Sequence, residues 1–171
     1  SEMCIRDRVL AAAPRLLAVG VEPREPGNAG TLIRCADAMG ADAVVLLGDA
    51  VDPHNGKCVR SSAGSVFHLP IVRERSVSDA LSAIAAAGVC VLATAADGEL
   101  ILDDISDDAY GLLTRPTAWL FGNEAHGLPV DVQALADHRV AIPIRGRAES
   151  LNVAATAAIC LYASARRQTR D

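Results

Sequence analysis

At 171 residues the chain has the length of one domain and can hide roughly two-thirds of its unfolded surface in a core. Hydrophobic residues make up 51% and charged residues 22%, which excludes a disordered chain, and with only 3% aromatic residues the core must be aliphatic and alanine-rich. A net charge of -5 argues mildly against a nucleic-acid partner, because phosphate binding usually leaves a basic footprint. Any positive patch must be local, and the candidates are Lys57 with Arg60, Arg145 with Arg147, and Arg166, Arg167 and Arg170, each of which also reads as a solvated surface cluster.

The five cysteines (Cys4, Cys35, Cys58, Cys90, Cys160) are odd in number, scattered and never in C-x-x-C spacing, so neither a zinc site nor a disulfide framework is indicated. A reducing, cytoplasmic compartment is expected, with no metal. No apolar run reaches bilayer-spanning length, and the opening lacks the basic start and apolar core of a signal peptide.

In chain order, Ser1 to Arg8 carry no helical or strand pattern, and a start on Ser1 without Met reads as non-native or truncated, so the domain is taken as 9–171. Leu16 to Val21 is a short apolar run. Gly27 to Met39 then shows helical spacing through Leu32, Ile33, Ala36 and Met39, with Asn28 placed to cap and Gly40 to close. Ala43 to Leu47 reads as a buried strand, and Asp52 to Gly56 is turn chemistry. Lys57 to Ser62 reads as a short helix, and Val66 to Leu69 as a short strand ending at Pro70.

Ser76 with Asp79 opens a helix through Ala87, closed by Gly88, and Val89 to Thr94 is apolar and β-branched like a central strand. Thr117 to Phe121 predicts a strand, Val130 to Ala136 a helix, Arg139 to Ile142 a strand and Leu151 to Arg167 a terminal helix. Strands alternating with helices mean an α/β domain, a mostly parallel sheet flanked by helices.

Ligands of such sheets bind beyond the carboxyl ends of the strands, which directs attention to three junctions. The first, Glu25-Pro26-Gly27-Asn28-Ala29-Gly30-Thr31-Leu32-Ile33-Arg34, pairs close-approach glycines with a possible cap; alone it reads as a plain helix start with Arg34 on the solvated face. The second, Phe121 to Pro129, resembles a backbone cradle for a small polar ligand. It is not a P-loop, since no Lys-Ser/Thr follows Gly127, and His126 reads as a surface or hydrogen-bonded histidine rather than a base. The third, Ile142 to Val153, is a strand end, a glycine loop and a helix start carrying Ser150 and Asn152, where Ser150 can serve as a cap.

Together these segments resemble, in order and placement, the three signature motifs of the SpoU (TrmH) branch of the SPOUT RNA methyltransferases. Asp52-Pro53-His54-Asn55-Gly56-Lys57 and Arg60 to Pro70 also resemble the family, particularly its ribosomal-RNA members. The resemblance runs from about Leu16 to Gln168.

It implies a C-terminal trefoil knot, which elementary topology would have rejected, and S-adenosylmethionine bound against it. The cofactor would contact Gly122, Asn123, Glu124, Gly127, Ile142, Ile144, Leu151 and Asn152, with Thr94, Ala95 and Ala96 lining its other side; a bulky residue at Gly122 would then fill space the cofactor needs. It further implies an obligate homodimer with a site built from both subunits, to whose packing Ala154, Ala157 and Ala158 lend small-residue helix surface. The catalytic-motif positions are Asn28, Arg34, Glu124, Ser150 and Asn152. The implied reaction is methyl transfer to a ribose 2′-hydroxyl of RNA, ribosomal (23S-type) in preference to transfer RNA, without a metal. A guanidinium stays charged up to about pH 12, so Arg34 is better cast as a phosphate-contacting, hydroxyl-orienting group than as a general base.

Many relatives carry an additional N-terminal RNA-binding domain, for which there is no room before Leu16, so a fragment or a minimal member is expected. Two other readings stand beside this one. One is a catalytically silent RNA-binding or assembly factor on the same fold. The other is a hydrolase using Ser150, which lacks the G-x-S-x-G elbow of such enzymes.

Overall fold

The computed structural model describes residues 4–168; Ser1 to Met3 of the proposed non-native start, and Arg170 of the C-terminal basic cluster, lie outside the described residues. Strands β1 (Leu16–Val21), β2 (Ala43–Leu47), β3 (Ile71–Glu74), β4 (Cys90–Thr94), β5 (Leu100–Ile101), β6 (Thr117–Phe121) and β7 (His138–Ala141) form one parallel sheet in the order β3-β2-β1-β6-β4-β7-β5. The helices are α1 (Ile5–Ala11), α2 (Pro26–Ala38), α3 (Gly56–Ser61), α4 (Val77–Ala86), α5 (Leu102–Asp107), α6 (Val130–Gln133) and α7 (Val153–Ala165). Short 3₁₀ turns occupy Ser65–Phe67 and Leu112–Thr114.

Successive strand residues point to opposite faces, and here both faces are covered. Leu16 and Ala18 of β1 enter a core with Ala29, Leu32 and Ile33 of α2 and Ala157 and Leu161 of α7. Leu17, Val19 and Val21 enter another with Ala80, Leu81 and Ile84 of α4. Burial on both sides is why β1 and β2, and β6 after Thr117, read as apolar runs. Trp119 fits this aliphatic interior because its indole Nε1 donates to Ser164 Oγ at 2.8 Å, which satisfies its one polar atom.

The path between β4 and β5 sets the topology of the C-terminal half. Thr94 at the end of β4 and Leu100 at the start of β5 both pair with Val140, from opposite sides of β7. Residues 95–99 must therefore cross over β7. The crossing is tight, since a Cβ on Gly98 would lie 2.7 Å from the carbonyl carbon of Val140.

Several expected boundaries shift. The strand expected over Val66 to Leu69 is instead a 3₁₀ turn, launched by left-handed backbone at Ala63 (φ 49°) and Gly64 (φ 91°). The strand begins after Pro70, whose carbonyl accepts from Val44 at 3.0 Å, a position where a proline's missing N–H costs the ladder nothing. Residues before Arg8, read as patternless, include the start of α1, which is anchored by Val9 and by an Arg6–Glu74 ion pair at 3.1 Å. The terminal helix starts at Val153 rather than Leu151, because Asn152 caps it by accepting from the Ala155 N–H at 2.9 Å. The β5–α5 segment carried too short an apolar signal to be read. No helix among the described residues is long and apolar enough to cross a membrane.

Candidate functional site

β6, β4 and β7 are sheet neighbours and parallel, so their carboxyl ends open side by side. Between the loops that leave them lies a cleft of about 720 Å³, a volume suited to a small organic ligand. Thr94, Ala95 and Ala96 form the wall beyond β4, and Thr94 is pinned by donating its hydroxyl to the Leu120 carbonyl at 2.8 Å. Gly122, Asn123, Glu124 and Gly127 form the wall beyond β6, while Ile142 and Ile144 follow β7 and Leu151 and Asn152 lead into α7.

The loop after β6 is shaped by its own backbone. Asn123 accepts at its side-chain oxygen from the N–H groups of Ala125 and His126 at 3.1 and 2.9 Å, and its carbonyl accepts from Gly127 at 3.0 Å. Gly127 closes this hairpin-like fold with φ 64°. A Cβ on Gly122 would come within 2.1 Å of the Gly127 carbonyl carbon and 2.3 Å of the Leu128 nitrogen. A side chain at Gly122 would therefore collide with the loop's own backbone, whether or not a ligand fills the cleft. His126 is exposed.

Asn28 does not cap α2. Glu25 does, accepting from the Gly27 N–H at 3.3 Å with Pro26 at the first helical position, and its carboxyl also pairs with Lys57. The Lys57 and Gly27 hydrogen bonds hold that carboxyl below the usual carboxylate range. Asn28, freed from capping, donates its side-chain nitrogen to Glu124 Oε1 at 2.9 Å, joining the first motif to the second across the mouth of the cleft. Ser150 also lines the cleft and does not cap, a role that falls to Asn152.

Arg34 is different. It lies outside this cleft, exposed, on the stripe of α2 that faces α3, and it forms no hydrogen bond or ion pair among the described residues. On the same stripe, Gly30 lets the helices touch: a Cβ there would meet Ser61 Oγ at 1.9 Å and the Cys58 carbonyl at 2.3 Å. Of the alanines expected to lend α7 small-residue surface, Ala158 is half-buried. Ala157 is fully buried, and Ala154 faces α2, where its carbonyl accepts from the Cys35 thiol at 3.7 Å.

Sequence reading passed over Glu149, which lines the cleft beside Ser150; its only signal was an acidic residue next to a motif serine. Among the described residues the lining includes two carboxylates, Glu124 and Glu149, and no lysine or arginine. Such a cleft suits a ligand bearing positive charge and disfavours a polyphosphate. Fold and site together define an α/β domain with a cleft at adjoining strand ends whose lining suits a small, non-phosphorylated ligand.

Residues 15–162 match the SpoU rRNA Methylase family. The chain is 41% identical over 149 residues to the 23S rRNA (uridine(2479)-2'-O)-methyltransferase of Streptomyces viridochromogenes, covering 85% of this chain and 50% of that protein. It is 39% identical over 153 residues to the 23S rRNA (guanosine(2553)-2'-O)-methyltransferase RlmP of Bacillus subtilis, covering 90% and 58%. Among solved structures, AdoMet-bound AviRb of S. viridochromogenes superposes with a TM-score of 0.77 at 39% identity, covering 88% of this chain and 59% of that one. The AdoMet-bound rRNA methyltransferase of Sinorhizobium meliloti does so with a TM-score of 0.81 at 37% identity, covering 91% and 57%. The chain belongs to the SpoU rRNA methylase family. It spans about half the length of the curated relatives it matches.

Proposed function

We propose that residues 9–171 form the catalytic domain of an S-adenosylmethionine-dependent methyltransferase acting on a ribose 2′-hydroxyl of RNA, with 23S-type ribosomal RNA favoured over transfer RNA. The observation that carries this is the convergence on one cleft of the motif residues Asn28, Glu124, Ser150 and Asn152, with no basic side chain among its lining residues. Similarity to 23S rRNA 2'-O-methyltransferases supports the substrate class, and a cytoplasmic location follows from that substrate.

When bound, S-adenosylmethionine supplies a methyl group already activated by its sulfonium. The cleft's shape and charge fit it: the loop closed by Gly122 and Gly127, together with Ile142, Ile144 and Leu151, would grip it largely through backbone groups, with Thr94 to Ala96 opposite and the carboxylates of Glu124 and Glu149 offsetting positive charge. The chain's remaining task is to hold the ribose hydroxyl in line and ease loss of its proton. Arg34 carries the free planar fork suited to gripping a phosphate while orienting a hydroxyl. Asn28, tied to Glu124, fixes the edge of the pocket, and Ser150 and Asn152 position the loop before α7. The activated methyl leaves no step that calls for a metal.

We further propose the trefoil knot. Support comes from residues 95–99 crossing over β7 in backbone contact, with α7 then returning across β6 and α2. A homodimer is the companion proposal, and its support moves to other residues than the alanines: Ile159 and Tyr162 leave apolar surface exposed along the outer side of α7. Arg34, lying outside its own cleft, would serve the site of a second copy. Light scattering should give twice the chain mass, and Ile159→Asp should give a monomer without transfer.

The direct experiment incubates the chain with methyl-labelled S-adenosylmethionine and unmodified ribosomal and transfer RNA, then maps 2′-O-methylation. A single methylated ribose in 23S rRNA is expected. Cofactor binding without transfer would favour the silent assembly factor, and labelling of Ser150 by an acyl-ester probe the hydrolase.

A further inference from the structure

Phe67 and Tyr110 are the most exposed aromatic side chains among the described residues, at 77% and 96%. Their surroundings separate them. Tyr110 follows the acidic run Asp103, Asp104, Asp107 and Asp108, and its N–H donates to Asp108 at 3.0 Å, a setting that repels a polyanion. Phe67 sits in the block built by α2, α3 and the 3₁₀ turn, whose exposed cations include Arg34 and Arg60, and Lys57 paired with Glu25.

The backbone under Phe67 is held from both sides. Ser65 and Val66 just before it are buried, at 5% and 8% exposure. Asp37 of α2 accepts from Ser65 Oγ at 2.7 Å and binds His68 Nδ1 at 2.7 Å, so the residues flanking Phe67 are tied to one carboxylate. Left-handed backbone at Ala63, a conformation that L side chains rarely adopt, aims the turn. The phenyl ring is thus presented outward by a rigid support. Arg34 lies one helical turn before Asp37 and one after Gly30, which touches α3, so its position falls on the side of α2 that meets α3 and the 3₁₀ turn.

We propose that Phe67 is a stacking platform for an unpaired base of the RNA substrate, with Arg34 and Arg60 taking the adjacent phosphates. This deepens the methyltransferase reading and rests on it for the identity of the polymer. An exposed aromatic face on a block that also bears cations is what single-stranded RNA can use, because every base offers a π-face and every nucleotide a charge. A duplex keeps its bases stacked inside and gains nothing from the ring. The target ribose would accordingly lie in a loop or bulge, with a neighbouring base splayed onto Phe67.

The test titrates the full chain at low salt with fluorescein-labelled oligouridylate of about a dozen nucleotides and with a blunt RNA duplex of similar length. Phe67→Ala should weaken the single-strand complex at least about fivefold, the low end of what one stacked base contributes. Duplex binding should stay unchanged, and Phe67→Trp should restore single-strand affinity. The proposal is overturned if Phe67→Ala binds oligouridylate like the parent, if both probes weaken equally, if the parent binds no single strand, or if light scattering shows the substitution splitting a dimer. The enzymatic reading fails separately: a chain that holds oligouridylate through Phe67 yet never methylates ribosomal RNA keeps the platform and loses the activity.

Discussion

The cleft beyond β4, β6 and β7 and the α2–α3 block are joined through one helix, yet they are built from opposite materials. The cleft is walled by small and aliphatic residues, backbone and two carboxylates, with no cation among its described lining. The block exposes Arg34 and Arg60, with Lys57 paired to Glu25, and an outward phenyl ring at Phe67. Asn28 reaches into the first region while Arg34, six positions on, belongs to the second. A chain of net charge -5 can therefore still offer a polyanion a foothold, because the total conceals the division.

Substitutions on each side should separate the two activities. The largest expected effect is Arg34→Ala, with single-turnover methyl transfer falling about a hundredfold or more while calorimetry finds cofactor affinity unchanged. Arg34→Lys should rescue poorly because an ammonium lacks the planar fork. Near-parental transfer in Arg34→Ala would make this residue a surface arginine. Next comes Gly122→Val, where collision with the Gly127 and Leu128 backbone should lower S-adenosylmethionine affinity more than about tenfold while oligouridylate binding persists. Gly30→Ala should then push α3 from α2 and lower stability by about 1–3 kcal/mol in urea unfolding, with RNA affinity suffering more than cofactor affinity.

The smallest effect concerns pH. Hydrogen bonds from Ser65 and then His68 hold the Asp37 carboxyl below its usual range. A carboxyl depressed in the folded state stabilises above its unfolded pKa and loses that contribution as pH falls through the folded value. Melting curves of the parent and Asp37→Asn should therefore differ at neutral pH and converge in acid; a constant gap would detach the clamp from this titration.

Much of the fold was legible because the sheet is buried on both faces: the β2 and β6 runs were bounded correctly, and Ser76 and Gly88 marked both ends of α4. Phe67 was misread as strand because a short apolar run looks alike whether buried or displayed, and only the left-handed Ala63 and Gly64 distinguish the two. The crossing of 95–99 over β7 had no local signal, since Gly98 matters through a residue more than forty positions away. Motif order placed most of the cleft residues, but motif membership alone could not show that Arg34 and Asn28 diverge around α2. Capping geometry likewise moved from Asn28 to Glu25 and from Ser150 to Asn152, since each cap depends on which neighbour the side chain is free to reach.

The proposed division between an anion-binding block and a cation-tolerant cleft is tested most directly by salt. Affinities for S-adenosylmethionine and for oligouridylate, measured on the same preparation across a salt series, should diverge. RNA binding should fall steeply as released counterions are repurchased at each phosphate contact, while cofactor affinity should stay nearly flat. A cofactor affinity that fell in parallel with RNA, or an RNA affinity indifferent to salt, would contradict the division.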